Sequence, residues 1–162
     1  MSWVPPEEYL PTIPSGKAYA ALYLTDEHGH PLLLRSVHRP QEWQIPGGNF
    51  EHADLEAGPG HCAWREAVEE TGLDLPPQAG PLLALIYVRP TTTWPFKIGM
   101  VFDGGELTTQ QIAGIRIDPE EHSEFRLQPI EHRKDADNDP ELPTVLACAE
   151  ARRTGRTSYL IR

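Results

Sequence analysis

Cysteine is scarce: Cys62 and Cys148 are the only two in 162 residues, too few for a disulfide scaffold and suited to reduced thiols. Long apolar runs are missing, and none approaches the about 20 residues that a membrane-spanning helix needs. The opening MSWVPPEEYL has neither a basic start nor an apolar core, so it does not read as a secretory signal. A cytoplasmic protein with no membrane partner is expected. Basic residues are also few, with 14 Lys and Arg against 24 Asp and Glu and a net charge of −10. That balance argues against a grip on a phosphate backbone, so no nucleic-acid partner is expected. A small anionic ligand stays compatible if metal ions neutralise the encounter. The seven histidines are scattered and show no strong zinc spacing, and no internal repeat is present.

What is present fits one globular domain. Apolar residues make up 39% and charged residues 23%, which is ordinary for a chain able to bury a sizeable core. Seventeen prolines are many, and Pro5, Pro6, Pro11 and Pro14 concentrate in residues 1–16. That stretch reads as an extended Pro-rich leader, with residues 17–162 as a single domain.

Residues 17–25 and 31–37 read as two strands around a turn at 26–30, and Trp43-Gln44-Ile45 as the end of a short strand. Further strands are expected at 81–88 and 96–103, with Asp103-Gly104-Gly105 closing the second, then at 112–117 and 125–128. Residues 120–124 form an acidic loop between the last two. Leu142 to Thr154, closed by Gly155, reads as a long helix with Val145, Leu146 and Ala149 on its apolar stripe. A mixed sheet between helices follows, an α/β (α+β) class.

The densest signal lies in residues 65–73, REAVEETGL. On a helix, Glu66, Glu69 and Glu70 stand at i, i+3 and i+4 and crowd three carboxylates on one face. Ala63, Trp64, Ala67, Val68 and Thr71 share the opposite arc and suit packing on a sheet. Gly72 fits the left-handed position past the helix end, which puts Glu69 and Glu70 in the last turn. Crowded like charges there cost about 0.2–0.5 kcal/mol per pair, and anions oppose the helix dipole by about 0.3–1 kcal/mol each. A bound cation would reverse that sign; a solvated acidic face would tolerate it. Upstream, Pro46-Gly47-Gly48 breaks the short strand into a loop that feeds this helix.

Together these residues resemble the signature of the Nudix hydrolase superfamily, G-x5-E-x7-R-E-U-x-E-E-x-G-U with U a bulky apolar residue. Gly48 matches the first glycine, and Arg65-Glu66, Glu69-Glu70 and Gly72-Leu73 match the second half. Ala67 stands where a bulkier residue is usual. Asp54 replaces the first glutamate, and ten residues instead of seven separate it from Arg65. Three residues are therefore inserted, best placed at Leu55-Glu56-Ala57, so that Pro59 opens the helix at a position proline tolerates. Either Asp54 or Glu56 takes the place of the bracing family glutamate.

The resemblance implies a Nudix-type α/β/α sandwich, with Glu66, Glu69 and Glu70 as ligands of Mg²⁺ or Mn²⁺, Gly47 and Gly48 bordering the cofactor, and Arg65 holding a neighbouring carboxylate. Mg²⁺ takes oxygen ligands and commonly bridges carboxylates to substrate phosphates. Many relatives add an acidic residue from a later loop as a further ligand or base. Glu121 in DPEEHSEFRL is the candidate here, with Glu124, Glu120 and the possible base His122 beside it; all four read equally as solvent-facing loop residues.

The family's reaction is hydrolysis of a nucleoside diphosphate linked to another moiety, and homodimers are frequent in it. Arg35, Arg39 and Lys97 are candidates for phosphate contact, and Tyr87, Trp94 and Phe96 for stacking on a base. Pro90 lies close to where ADP-ribose-hydrolysing relatives carry a proline. Two functions follow: a metal-dependent pyrophosphohydrolase acting on a nucleotide sugar, an ADP-ribose-like molecule or a nucleoside polyphosphate, and a nucleotide-binding or regulatory module without turnover. The intact second half of the box favours the enzyme; Asp54 and the insertion favour the module. Cys62, one turn before Glu66, reads as a small buried residue.

Overall fold

The computed structural model describes residues 3–133 and 139–162. Its strands are β1 (Gly16–Thr25), β2 (Leu32–Ser36), β3 (Trp43–Gln44), β4 (Gly47–Asn49), β5 (Leu82–Val88), β6 (Phe96–Glu106), β7 (His122–Leu127) and β8 (Ser158–Ile161). The helices are α1 (Pro6–Tyr9), α2 (Asp54–Ala57), α3 (Pro59–Thr71), α4 (Thr109–Gly114) and α5 (Leu142–Thr154).

β1 is buried on both faces from Ala20 onward, and this organises the rest. Because side chains alternate along a strand, Ala20, Leu22 and Leu24 point into one core with Cys62, Ala63 and Ala67 of α3. Ala21 and Tyr23 point into a second core with Val145, Cys148 and Ala151 of α5. The sheet thus lies between α3 and α5, the expected α/β/α sandwich. Its order is β4-β1-β6-β5-β8, with β1 parallel to β6 and antiparallel to β4, so it is mixed. A second, three-stranded sheet runs β3-β2-β7.

Small residues let α3 lie close on β1. Cys62, Ala63 and Ala67 are fully buried, and Ala67 in place of a bulkier side chain is part of that approach. The helix starts at Pro59 and ends at Gly72, whose φ of 65° is left-handed and whose N–H donates to Val68 O at 2.8 Å, as expected. On the other face, Arg152 of α5 donates to Asp103 of β6 through Nε at 3.0 Å and to Tyr23 O at 2.9 Å, clamping that helix to the sheet. Among the described residues no helix is long and apolar enough to cross a membrane.

Several expectations are corrected. The leader is not extended throughout: Pro6–Tyr9 make one helical turn and Leu10–Thr12 a 3₁₀ turn, because proline also starts helices well; Met1 and Ser2 lie outside the described residues. Residues 112–117 are not a strand. Thr108 caps α4 in a capping box with Gln111, and Ile112 and Ile115, three apart, both face the core of α3. The two strands around the 26–30 turn are present as β1 and β2, but they belong to different sheets and, as paired residues, share the Thr25–Pro31 bridge. β6 runs through Gly104-Gly105 to Glu106, β7 starts already at His122, and Leu146 is exposed where Thr144, Val145, Cys148 and Ala151 are buried.

Candidate active site

Arg65 is the hub of the acidic face. Its Nη2 donates to Asp54 Oδ2 at 2.8 Å and to Glu66 Oε1 at 2.9 Å, and its Nη1 donates to Glu69 Oε2 at 2.8 Å. Asp54 is fully buried. It also accepts from Glu51 N at 2.8 Å and pairs with His61 Nδ1 at 2.8 Å. The Arg65 guanidinium, reinforced by these neighbours against the cost of burial, holds the Asp54 carboxyl well below the usual carboxylate range. The choice left open by the sequence is thereby resolved: Asp54 meets Arg65, while Glu56 is exposed on α2. The inserted residues form that helical turn, and Gly58 N donates back to Asp54 O at 2.7 Å. The turn carries the shorter aspartate inward.

Glu70 lies on the other flank of the face, 4% exposed. Gly47 N donates to its Oε2 at 2.8 Å, and His122 Nε2 stands 2.9 Å from its Oε1. That last contact is an ion pair outside hydrogen-bond geometry, and neither ring nitrogen of His122 has a hydrogen-bond partner. Burial pushes the Glu70 carboxyl up, against the pull of His122 and Gly47. His122 is itself moved up, because the Glu70 carboxylate outweighs the opposing effect of burial. Glu66 is pushed up to about 7 by burial, in spite of Arg65.

The glycine turn is shaped by the same groups. A Cβ on Gly48 would overlap the Glu66 carboxylate, and one on Gly47 would overlap Ala21 and the Ala20 carbonyl of β1. The chain segment carrying Glu121 and His122 is fastened to the end of α3, where Arg116 N donates to Thr71 O at 2.7 Å and Asp118 N to Glu70 O at 3.3 Å.

All seven expected site residues, Gly47, Gly48, Arg65, Glu66, Glu69, Glu70 and Glu121, line one cleft of about 510 Å³. Five glutamates line it against two arginines, so an anionic substrate meets repulsion there unless a cation intervenes. Ligand atoms of Glu70, Glu121 and His122 lie within 4.8 Å of one another, and this donor set fits a divalent cation. Glu66 and Glu69 border the same cleft with their carboxylates turned to Arg65. A second cavity, of about 360 Å³, adjoins the first across Gly47, Gly48 and Asn49 and is lined by Tyr19, Trp43 and Lys97 among others.

The chain matches the NUDIX domain family model over residues 14–147. It belongs to the Nudix family. Membership carries the hydrolase expectation of the sequence with it. No curated protein matches the chain. Among solved structures, the MutT protein from Methanosarcina mazei Go1 has a TM-score of 0.68 at 20% identity, covering 89% of this chain and 98% of that one. A UDP-X diphosphatase has a TM-score of 0.68 at 17% identity, covering 98% of this chain and 76% of the other. The Nudix domain of Shewanella oneidensis NrtR, complexed with ADP ribose, has a TM-score of 0.67 at 15% identity, covering 93% and 100%. At these identities the likeness is one of fold.

Of the substrate candidates, Arg39 borders both cavities and Lys97 the second. Arg35 is instead paired with Glu124 at 3.1 Å. Trp94 is exposed under Lys17 Nζ at 4.4 Å and Lys97 Nζ at 5.3 Å, and Tyr87 stacks on Phe96. Sequence reasoning missed Glu51, His61 and Trp43. Trp43 had one signal, its place beside the glycine turn; Glu51 and His61 had none.

Proposed function

We propose that this Nudix hydrolase is a metal-dependent pyrophosphohydrolase that cleaves a nucleoside diphosphate linked to another moiety, such as a nucleotide sugar, an ADP-ribose-like molecule or a nucleoside polyphosphate. The observation that carries this reading is the convergence of the Arg65-braced glutamates with Glu70, Glu121 and His122 in one cleft. When bound there, Mg²⁺ or Mn²⁺ would supply charge to a phosphoryl oxygen and activate a water for attack on phosphorus.

The chain's own groups do the rest. Arg65, fixed by Asp54, keeps Glu66 and Glu69 at set positions, which matters because an error of about 1 Å in such placement costs on the order of a hundredfold in rate. Glu121 is exposed on the lining of the cleft, where it can join Glu70 in holding the ion or accept a proton from water. Arg39 stands where phosphates would pass from the cleft to the adjoining cavity, whose Trp43 and Tyr19 offer aromatic surface to a base. A UDP-X diphosphatase and an ADP-ribose-bound Nudix domain among the similar structures are in keeping with a nucleoside-diphosphate ligand, and a cytoplasmic setting suits such a substrate. The brace from Asp54 to Arg65 supports the enzyme over a module without turnover.

The test is incubation with ADP-ribose, nucleotide sugars, dinucleoside polyphosphates and nucleoside triphosphates in Mg²⁺ or Mn²⁺, with products separated by anion exchange. Metal-dependent appearance of a nucleoside monophosphate is expected. Ligand binding without any cleavage would overturn the enzyme reading and leave the binding module.

A further inference from the structure

His122 is 1% exposed, yet neither ring nitrogen makes a hydrogen bond. A buried imidazole that makes no hydrogen bond is uncommon, because the ion pair with Glu70 alone does not replace the hydrogen bonds it has lost to water. This one is aimed at a pair of carboxylates: Nε2 stands 2.9 Å from Glu70 Oε1, and the ligand atoms of His122, Glu70 and Glu121 lie within 4.8 Å of one another.

The position is also rigid. His122 N donates to Asp118 O at 2.8 Å, Asp118 N reaches Glu70 O at 3.3 Å, and Val37 N binds Glu121 O at 2.9 Å. His122 further stands opposite Ser36 in the ladder of β2 and β7. The imidazole is therefore presented to the cleft by a helix end on one side and a sheet on the other.

We propose that His122 is a nitrogen ligand of the divalent ion held in this cleft, so that the site selects a first-row transition ion over Mg²⁺. Resting on the metal-dependent reading above, it adds a donor outside the three helix glutamates. Mg²⁺ demands oxygen donors, whereas first-row transition ions also take imidazole nitrogen, Zn²⁺, Fe²⁺ and Ni²⁺ most strongly and Mn²⁺ more weakly. A site of two carboxylates and one imidazole discriminates between them by donor type alone.

The test uses Mn²⁺ and Mg²⁺ alone, without substrate. Electron spin echo spectra of the Mn²⁺-loaded protein are compared for natural-abundance and ¹⁵N-histidine samples, and both ions are titrated against wild type and His122→Gln. His38 is the other histidine lining the cleft among the described residues, so His38→Gln is the control. Expected are a directly bound imidazole nitrogen that shifts with ¹⁵N labelling, its loss in His122→Gln and its retention in His38→Gln. Mn²⁺ affinity should fall in His122→Gln by at least about tenfold, since even partners outside the ligand shell cost about 10–100-fold, while Mg²⁺ affinity changes less. Bound Mn²⁺ with no histidine nitrogen, or a nitrogen that survives His122→Gln, overturns the ligand and leaves the metal-dependent enzyme standing. Failure of Mn²⁺ to bind at all overturns both. Should His122→Gln not fold, the wild-type and His38→Gln spectra still decide.

Discussion

Asp54 is fully buried against Arg65, 2.8 Å from Nη2 and 3.4 Å from Nε. The contact joins the inserted turn to the acidic helix. An aspartate one methylene shorter than a glutamate reaches the guanidinium because α2 brings its backbone inward, and Glu51 N and His61 Nδ1 occupy the remaining carboxylate positions.

Asp54→Ala is accordingly expected to lower kcat about a hundredfold with little change in KM, since a brace positions groups without binding substrate. It should also destabilise by about 3 kcal/mol, the usual cost of leaving one partner of a buried pair alone. Glu56→Ala should match wild type in both respects. Steady-state kinetics and denaturant melts check this, and equal behaviour of the two variants would remove the brace from Asp54.

Glu69 and Glu70 should respond differently to removal of charge. Glu69 is more than half exposed and pairs with Arg65 one turn away, so Glu69→Gln should change stability by less than about 0.5 kcal/mol. Glu70 is buried between Gly47 N and His122. Glu70→Gln should therefore cost about 1–3 kcal/mol, as an ion pair and a charge-assisted bond are lost. Both should lose most turnover in saturating Mg²⁺. A Glu70→Gln variant with near-wild-type rate would dismiss that residue from the site.

The pH dependence of stability has two opposed sources, Asp54 on one side and Glu66 with Glu70 and His122, all moved up, on the other. Asp54 is held below its ordinary 3.8, so its contribution is present above that value and is lost as pH falls through the lower folded value. Glu66 runs the other way. Its folded value is raised from 4.5 to about 7, so its contribution is full below 4.5 and is lost as pH rises through 7. Melting temperature without metal should fall by several degrees between pH 5 and pH 8, on the order of 1–2 kcal/mol for a chain of this size. Glu66→Gln should reduce that slope and leave the share of Glu70 and His122, and millimolar Mn²⁺ should restore stability at pH 8. A flat wild-type profile would contradict the burial of the Glu66 charge.

The second half of the box was legible because its information is local. Spacing along one helix places Arg65, Glu66, Glu69 and Glu70, and Pro59 and Gly72 mark that helix's ends. The sorting of alternate β1 residues into two cores likewise follows from period two. What escaped depended on contacts between distant segments. Nothing local says that β1 and β2 part into different sheets, or that His122 meets Glu70 across the cleft. The choice between Asp54 and Glu56 needed the path of the inserted turn. The misreading at 112–117 was avoidable: Thr108 and Gln111 stand at capping-box spacing, and Ile112 and Ile115 recur at a helical interval, but Ile115 and Ile117 alternate like a strand.

Gly48 provides the last prediction, because its role is steric and leaves every titratable group in place. A methyl at this position would overlap the Glu66 carboxylate, which Arg65 holds from the other side at 2.9 Å. The carboxylate must turn, or β4 must move away from α3. Either shift displaces a site group by roughly the 1 Å that costs on the order of a hundredfold in rate, and overpacking of this kind costs about 1–3 kcal/mol. Gly48→Ala should therefore lose about a hundredfold in kcat and melt several degrees lower. Gly114 in α4 is the matched control, since a Cβ there meets nothing within 4 Å and its φ is not left-handed. Gly114→Ala should keep full activity and gain about 0.4–1 kcal/mol by restricting the unfolded chain. Retention of wild-type kcat by Gly48→Ala would show that the Glu66 carboxylate can be displaced without consequence, and would remove Glu66 from the catalytic set.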